Sequence, residues 1–273
     1  MCLALSFSPR SFSAQLAIVI DDIGNNYAQG NAIVELKGPL TMAFLPHTPY
    51  AKELAEKAFN NNKEVILHAP MENLSAFPLG PGALTLKLTK EEFQKILRSD
   101  IQSIPHVQGI NNHMGSLLTQ KIQPMNWLME TIKKDQLYFI DSFTSAKSIA
   151  YTQAIKHNIP ALKRQVFLDN DKRLSALTRQ WNQAIKIAKE KGHAILIGHP
   201  YDESHAFLKK QIPTLIDQGI ELAPASQLFL HDIWKDFDIS QDEEGKDDLH
   251  ERNRYFLRPI PIASQCQNQP CAA

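Results

Sequence analysis

An α/β architecture with a parallel sheet, closed as a single barrel, is what this sequence predicts. Three observations point to it. Short apolar runs alternate with stretches of helical period seven or eight times along the 273 residues. The runs are almost continuously apolar, as strands covered on both faces are. Ionisable residues stand where those runs end, and the ends of parallel barrel strands open on one common rim. An open doubly wound sheet gives the same alternation. No Gly-rich phosphate loop follows the first run, which disfavours the nucleotide-binding form of such a sheet.

Leu16-Ala17-Ile18-Val19-Ile20 is the first strand and runs into Asp21-Asp22-Ile23-Gly24. Residues 28–37 carry a helical pattern. Thr41 to Leu45 is the second strand, stopped by Pro46. Helix 50–61 turns Leu54, Ala55, Ala58 and Phe59 inward. Glu64 to Leu67 is the third strand and ends at His68. A loop from Ala69 to about Leu88 follows, with Phe77-Pro78-Leu79-Gly80-Pro81-Gly82 inside it. Connections of this length in compact domains are usually functional or mobile. Thr89 and Glu92 form a capping box that opens a helix to about Ser99. Val107 to Asn111 is a short strand ending near Asn112-His113, and residues 127–134 are helical. Leu137 to Ile140 is a strand that ends at Asp141-Ser142, and a helix spans 146–157. Ala161 to Phe167 is a weaker strand region followed by Asp169. Residues 172–191 form the longest helix, stopped by Gly192 as a left-handed cap. Ala194 to Ile197 is a strand that hands over to Gly198-His199-Pro200. Helix 204–217 is closed by Gly219, Gly219 to Leu222 is the last strand, and Ala225 to Phe229 a short last helix.

The barrel is expected over residues 15–233. Residues 1–14 read either as the rear half of a secretory signal whose basic front is missing or as a disordered leader. Residues 234–273 are charged and then Gln- and Pro-rich, the composition of a solvated, disordered tail. The three cysteines, Cys2, Cys266 and Cys271, lie outside the body of the chain, so no thiolate zinc cluster is expected. No run approaches the ~20 apolar residues of a membrane span. Lys and Arg number 29, as do Asp and Glu, giving no basic excess to grip nucleic acid. A neutral polymer such as a sugar chain fits this balance at least as well as an acidic one. The expected location is periplasmic or secreted.

The rim carries the functional argument. Asp21 and Asp22 follow the first strand, His68 the third, Asn111-Asn112-His113 the fourth, Asp141 the fifth, Asp169 the weak sixth and His199 the seventh. Asp141 and Asp169 taken singly read as helix caps. His47, His106, His157, His193, His205, His231 and His250 have no supporting context. Two adjacent carboxylates beside a buried strand repel unless a cation or other donors compensate. A divalent metal explains the set, because two imidazoles and one carboxylate form a catalytic zinc-type shell with a position left open for water. No Gly-x-Ser-x-Gly nucleophile elbow occurs.

Taken together, Ile18-Val19-Ile20-Asp21-Asp22-Ile23-Gly24, His68-Ala69-Pro70-Met71-Glu72, Asn111-Asn112-His113-Met114-Gly115-Ser116, Ile140-Asp141-Ser142 and Gly198-His199-Pro200 resemble the divergent polysaccharide deacetylases, over about residues 15–230. The resemblance implies a distorted (β/α) barrel of seven or eight units with the NodB-like deacetylase fold. It implies metal-dependent removal of N- or O-acetyl groups from envelope polysaccharide or peptidoglycan fragments. It maps the base to Asp21, a metal ligand to Asp22, another to His68, and the residue assisting the leaving group to His199. The wider group has a second metal histidine where this chain has Glu72, and His113 is the replacement ligand expected here, with zinc as the expected metal. The Arg- and Pro-bearing motif of the group is not evident at Asn111-Asn112-His113. The alternative is a non-catalytic envelope barrel that binds glycan or protein. A metal hydrolase of phosphoesters is a third reading, disfavoured by the lack of an Arg or Gly phosphate cradle.

Overall fold

The computed structural model describes residues 14–229. The expected leader (apart from Ala14), the expected tail over 234–273 and all three cysteines lie outside the described residues. The strands are β1 Ala14–Ile23, β2 Thr41–Phe44, β3 Glu64–Met71, β4 Gly109–Met114, β5 Tyr138–Asp141, β6 Ala161–Lys163, β7 Val166–Phe167, β8 His193–Gly198 and β9 Ile220–Leu222. The helices are α1 Tyr27–Val34, α2 Ala51–Asn60, α3 Lys90–Ser103, α4 Ile122–Lys134, α5 Ala150–Lys156, α6 Leu174–Lys191 and α7 Asp202–Gln211. The capping box at Thr89 and Glu92 is formed, and Gly192 ends α6 in the left-handed region. The helix expected to reach residue 217 stops at Gln211. Pro213, which has no N–H to continue the ladder, enters the 3-10 turn Ile212–Thr214 that follows.

Every pairing in the sheet is parallel, in the order β6-β5-β4-β3-β2-β1-β8-β7, with β9 beside the start of β1. β6 and β7 stand at opposite ends of this order, yet only Arg164 and Gln165 separate them in sequence. Three residue steps reach at most roughly 11 Å, so the sheet must curl until its edges meet. The Arg164 N–H donates to Asp141 O of β5, and the Gln165 N–H to Ile195 O of β8. One bent segment therefore serves as the last strand for both edges, which makes the architecture a distorted barrel and rules out the open sheet.

Alternation sorts the strand residues. Ala17, Val19, Ala43, Ile66, Ile140, Leu162, Ile195 and Ile197 fill the barrel interior. Leu16, Ile18, Ile20, Met42, Phe44, Val65, Leu67, Phe139 and Leu196 pack outward with the helices. The segment after β9 closes the N-terminal end of the barrel with Ala223, Ala225, Leu228 and Phe229. It is anchored by the Ala225 N–H donating to Thr41 Oγ1 at 2.9 Å, while Thr41 Oγ1 donates to Glu64 Oε2 at 2.7 Å. The C-terminal ends of the strands lie at the opposite end.

The loop expected after His68 begins later, because β3 continues to Met71 and pairs Pro70 with His113 of β4. The loop is then tied down. The Glu72 N–H donates to Leu84 O at 3.0 Å, and the Leu86 N–H donates to Glu72 Oε2 at 2.6 Å. Gly82, at φ +76, rests on Asp100 of α3; a Cβ there would fall 2.2 Å from Asp100 Oδ1. Asp100 is fully buried, with Oδ1 at 2.9 Å from His47 Nε2 and Oδ2 without a partner. Burial pushes its carboxyl up to about 8.

Between the ordinary Asp value of about 4 and that raised value, the folded chain holds a proton at Asp100 that the unfolded chain releases. Stability from this group therefore falls as pH rises through the window. Thermal unfolding of Asp100→Asn, a permanently neutral mimic, is expected to lose less midpoint between pH 5 and pH 8 than the parent does. Parallel pH profiles of the two proteins would contradict this account of Asp100.

Candidate metal centre

The interior alternation continues straight into the rim. The inward series Ala17, Val19 arrives at Asp21, Ile66 at His68, and Ile195, Ile197 at His199. Asp21 and His68 are both buried. Asp22 would face outward under strict alternation. The β1–β2 register, however, passes from Ile20↔Met42 to Ile23↔Phe44, so three steps on β1 oppose two on β2. Asp22 occupies this bulge at φ 59. Left-handed backbone at a non-glycine costs on the order of 1 kcal/mol, least for Asp and Asn. The bulge turns consecutive carboxylates toward one mouth.

Asp22, His68 and His113 come together there. His68 Nε2 lies 3.1 Å from Asp22 Oδ1, His113 Nδ1 lies 2.8 Å from the same oxygen, and the two imidazole nitrogens are 3.2 Å apart. Asp22 Oδ1 is buried and has no hydrogen-bond partner despite these neighbours. Bonds of ~2.1 Å to one cation would hold their ligand atoms roughly 3 to 3.5 Å apart, close to the spacing of this triangle. An orphaned carboxylate oxygen and two imidazole nitrogens at that spacing fit a divalent metal. Among the described residues this is the one His/Cys/Asp/Glu group so arranged.

Asn111 organises the centre from β4. Its Oδ1 accepts from His68 Nδ1 at 2.6 Å, and its Nδ2 donates to Asp21 Oδ1 at 2.7 Å. The amide cannot turn over without setting its oxygen against the Asp21 carboxylate. His68 must then carry its proton on Nδ1, which leaves the Nε2 lone pair for the triangle. Burial pushes the Asp21 carboxyl up; His68 and His199 oppose this, Asp22 adds to it and Asn111 opposes it, and the net direction is upward. Burial acts the same way on Asp22, but His113 and His68 override it and hold that carboxyl well below the usual range.

His199 completes the mouth from β8. Its Nδ1 is 2.9 Å from Asp169 Oδ1, and Asp169 Oδ2 accepts from the His199 N–H at 2.7 Å and from Ser204 Oγ at 2.6 Å. The other ring nitrogen, Nε2, is 3.7 Å from Asp22 Oδ2. Burial works against charge on His199, but the Asp169 hydrogen bond and the Asp22 charge prevail and raise it to about 9.

All five candidate residues thus converge: Asp21, Asp22, His68, His113 and His199. Other strand-end residues do not join them. Asp141 turns outward and accepts from the Phe143 N–H, Ser148 Oγ and the Tyr151 N–H, so it shapes the loop into α5. Glu72 is engaged with Leu86 and stays outside the metal group. Sequence reasoning placed Asn111 and Asp169 on the rim but gave Asn111 no role of its own and read Asp169, taken singly, as a helix cap. The available signal was position, since each follows or ends a rim strand beside a rim histidine. It also missed Arg164, which donates from the seam to Ser142 O at 2.6 Å and Phe143 O at 2.9 Å and holds the loop after β5. A cleft of about 360 Å³ adjoins the centre; Asp22 and His113 line it together with Pro46, Pro70, Pro78 and Pro81.

Residues 18–229 match the family described as divergent polysaccharide deacetylase. The chain is 35% identical over 224 residues to the uncharacterized protein YibQ of Escherichia coli (strain K12), across 82% of this chain and 70% of that one. An uncharacterized protein of Haemophilus influenzae is 32% identical over 216 residues, across 79% of this chain and 77% of that one. Among solved structures, the uncharacterized protein ATU2773 from Agrobacterium tumefaciens C58 aligns with a TM-score of 0.76 at 23% identity, covering 82% of this chain and 92% of that one. The peptidoglycan deacetylase PdaC from Bacillus subtilis aligns with a TM-score of 0.53 at 16% identity, covering 85% of this chain and 98% of that one. The two structural likenesses establish the shared distorted (β/α) barrel.

A ligand that binds only the folded state stabilises it by about 2.7 kcal/mol at a hundredfold excess over its dissociation constant. Zinc added to chelator-treated protein is accordingly expected to raise the unfolding temperature. The rise should vanish in His68→Ala and in Asp22→Asn but persist in Glu72→Gln. A zinc shift that survives loss of His68 would remove these residues as the binding site.

Proposed function

Because the chain belongs to the divergent polysaccharide deacetylase family, we propose that it is a metal-dependent hydrolase removing acetyl groups from an N- or O-acetylated polysaccharide or peptidoglycan of the cell envelope. The observation that carries this reading is the Asp22–His68–His113 triangle, with one orphaned oxygen and two further acid–base groups around it. Asp22, His68 and His113 would hold the cation, and two nitrogens with one oxygen make zinc the natural choice. Bound there, the cation supplies Lewis acidity toward the acetyl carbonyl and lowers the pKa of water.

The chain's own groups account for the proton movements. Asp21 is held on Oδ1 by Asn111, while its Oδ2 lies 3.6 Å from His68 Nε2, on the triangle side. Its raised pKa suits a base that takes the proton of the attacking water. Water adds to the acetyl carbonyl carbon, and the bond from that same carbon to the sugar's nitrogen or oxygen breaks, so the heteroatom stays on the sugar. His199 has its Nδ1 proton committed to Asp169, so Nε2 is the nitrogen that protonates the departing amine or alcohol. Acetate and a free sugar amine or hydroxyl result. A substrate of this kind is met in the periplasm or outside the cell, which is the location this reading proposes.

The second reading is a barrel that binds glycan without turning it over. Glu72 favours it, since a histidine stands at that position in the wider group and here the side chain ties down a loop. Acetate release from acetylated chitin and peptidoglycan fragments by zinc-loaded protein decides between them. Asp21→Asn and His199→Ala are each expected to lower kcat by about 10²- to 10⁴-fold with the fold intact. A folded, zinc-loaded protein inert on every acetylated glycan, together with an Asp21→Asn variant that keeps its cellular role, would establish the binding reading instead.

Asp169 acts through His199. Asp169→Asn keeps the shape but removes the charge that fixes the imidazole, so kcat is expected to fall by about tenfold or more with KM little changed. A variant as active as the parent would leave Asp169 with a packing role only.

A further inference from the structure

Two tyrosines on the rim have no part in the chemistry above. Tyr27 opens α1 five residues after Asp22, and Tyr50 immediately precedes α2. Their rings form an edge-to-face pair, with centroids 5.6 Å apart and planes at 66°. Each remains more than a third exposed, at 37% and 39%, although both loops are firmly held. The Tyr50 N–H donates to Gly24 O at 3.0 Å. Gly24, at φ +135, lies so close to the second loop that a Cβ there would fall 2.0 Å from Thr48 Oγ1. The β1–α1 and β2–α2 loops are thus zipped together, and the tyrosine pair is presented as one fixed surface.

That surface is carried by the two segments of chain that help to line the cleft. Asn25 and Thr48 line it along with Asp22 and His113, and each tyrosine follows two residues further along the chain, Tyr27 at the start of α1 and Tyr50 just before α2. Among the described residues, Asp22 and His113 are the ionisable side chains that line the cleft. Its walls are proline rings, a leucine pair and neutral amide and hydroxyl groups. Such a lining offers nothing to a charged polymer. It suits a ligand with apolar C–H faces and neutral hydroxyls, which is the chemistry of an uncharged sugar ring. A ring that stacks on a tyrosine face gains about as much as an aromatic pair does, enough for roughly a fivefold to tenfold change in affinity.

We propose that Tyr27 and Tyr50 form a stacking subsite for a neutral N-acetylated glycan, so that a neighbouring sugar residue rests on the tyrosine pair while another occupies the metal centre. The protein then prefers an oligomer to a single sugar. This rests on the deacetylase reading for what happens at the centre, but the subsite itself is tested by binding alone.

Chelator-treated full-length protein, which cannot turn substrate over, is titrated by calorimetry with the monomer and the tetramer of N-acetylglucosamine. The tetramer is expected to bind about tenfold more tightly. Tyr27→Ala with Tyr50→Ala should abolish that preference and leave monomer binding unchanged, whereas Tyr27→Phe with Tyr50→Phe should keep it. If the alanine pair does not fold, Tyr27→Leu with Tyr50→Leu keeps apolar bulk without a flat ring and must show the same loss. Equal affinity for monomer and tetramer, binding of neither, or a preference that survives in the folded alanine or leucine pair each overturns the subsite. Acetate release by the zinc-loaded protein separates the two claims. Release with equal efficiency from both sugars, unaffected by the tyrosines, defeats the subsite and leaves the deacetylase. Tyrosine-dependent binding without release leaves the subsite and defeats the deacetylase.

Discussion

The bulge at Asp22 is the constraint on which the site depends. A regular strand sends neighbouring side chains to opposite faces, so Asp21 and Asp22 could not both serve one mouth of a barrel without a break in the register. The three-against-two step between β1 and β2 supplies that break, and the left-handed backbone at Asp22 is its local cost. The result brings two negative charges together inside a largely buried mouth. Histidines from β3, from β4 and from just past the end of β8 surround them, and the whole assembly is arranged to compensate that charge.

Within that arrangement the two carboxylates are driven apart in character. Asp22 faces two imidazoles at about 3 Å and stays ionised. Asp21 lies deeper, and its chief hydrogen bond is to a neutral amide, so its proton affinity rises. Two adjacent residues of the same type thereby acquire opposite proton affinities through environment alone, as the proposed roles of ligand and base require. The same logic divides the histidines. Asn111 commits Nδ1 of His68 and frees its Nε2, while Asp169 commits Nδ1 of His199 and raises its proton affinity. A neutral orienting partner suits a ligand, and a charged one suits an acid.

Closure of the barrel supports this geometry from a distance. The seam at Arg164 and Gln165 joins β5 to β8 and so brings the loop after β5 and the His199 strand to the same mouth. The long segment after β3 is secured by Glu72 and by the contact of Gly82 with Asp100, and it becomes a wall of the cleft beside the candidate metal centre. The Glu72 position, where the wider group has a histidine, is thus taken up by architecture. His113, one strand over, completes the triangle.

The sequence by itself determined the alternation of strands and helices, the parallel sheet and the set of rim residues, because these follow from local periodicity and from where apolar runs stop. The capping box at Thr89 and the glycine stop at Gly192 were legible for the same reason: each is a contact between near neighbours. Only the tertiary structure decided that the sheet closes through the split strand at Ala161–Lys163 and Val166–Phe167. It alone decided that Asp22 turns inward, that Asp141 turns outward, and that Asn111 and Asp169 orient the histidines. Each of those depends on register between strands distant in the chain, and a shift of one residue in register reverses which face a side chain meets.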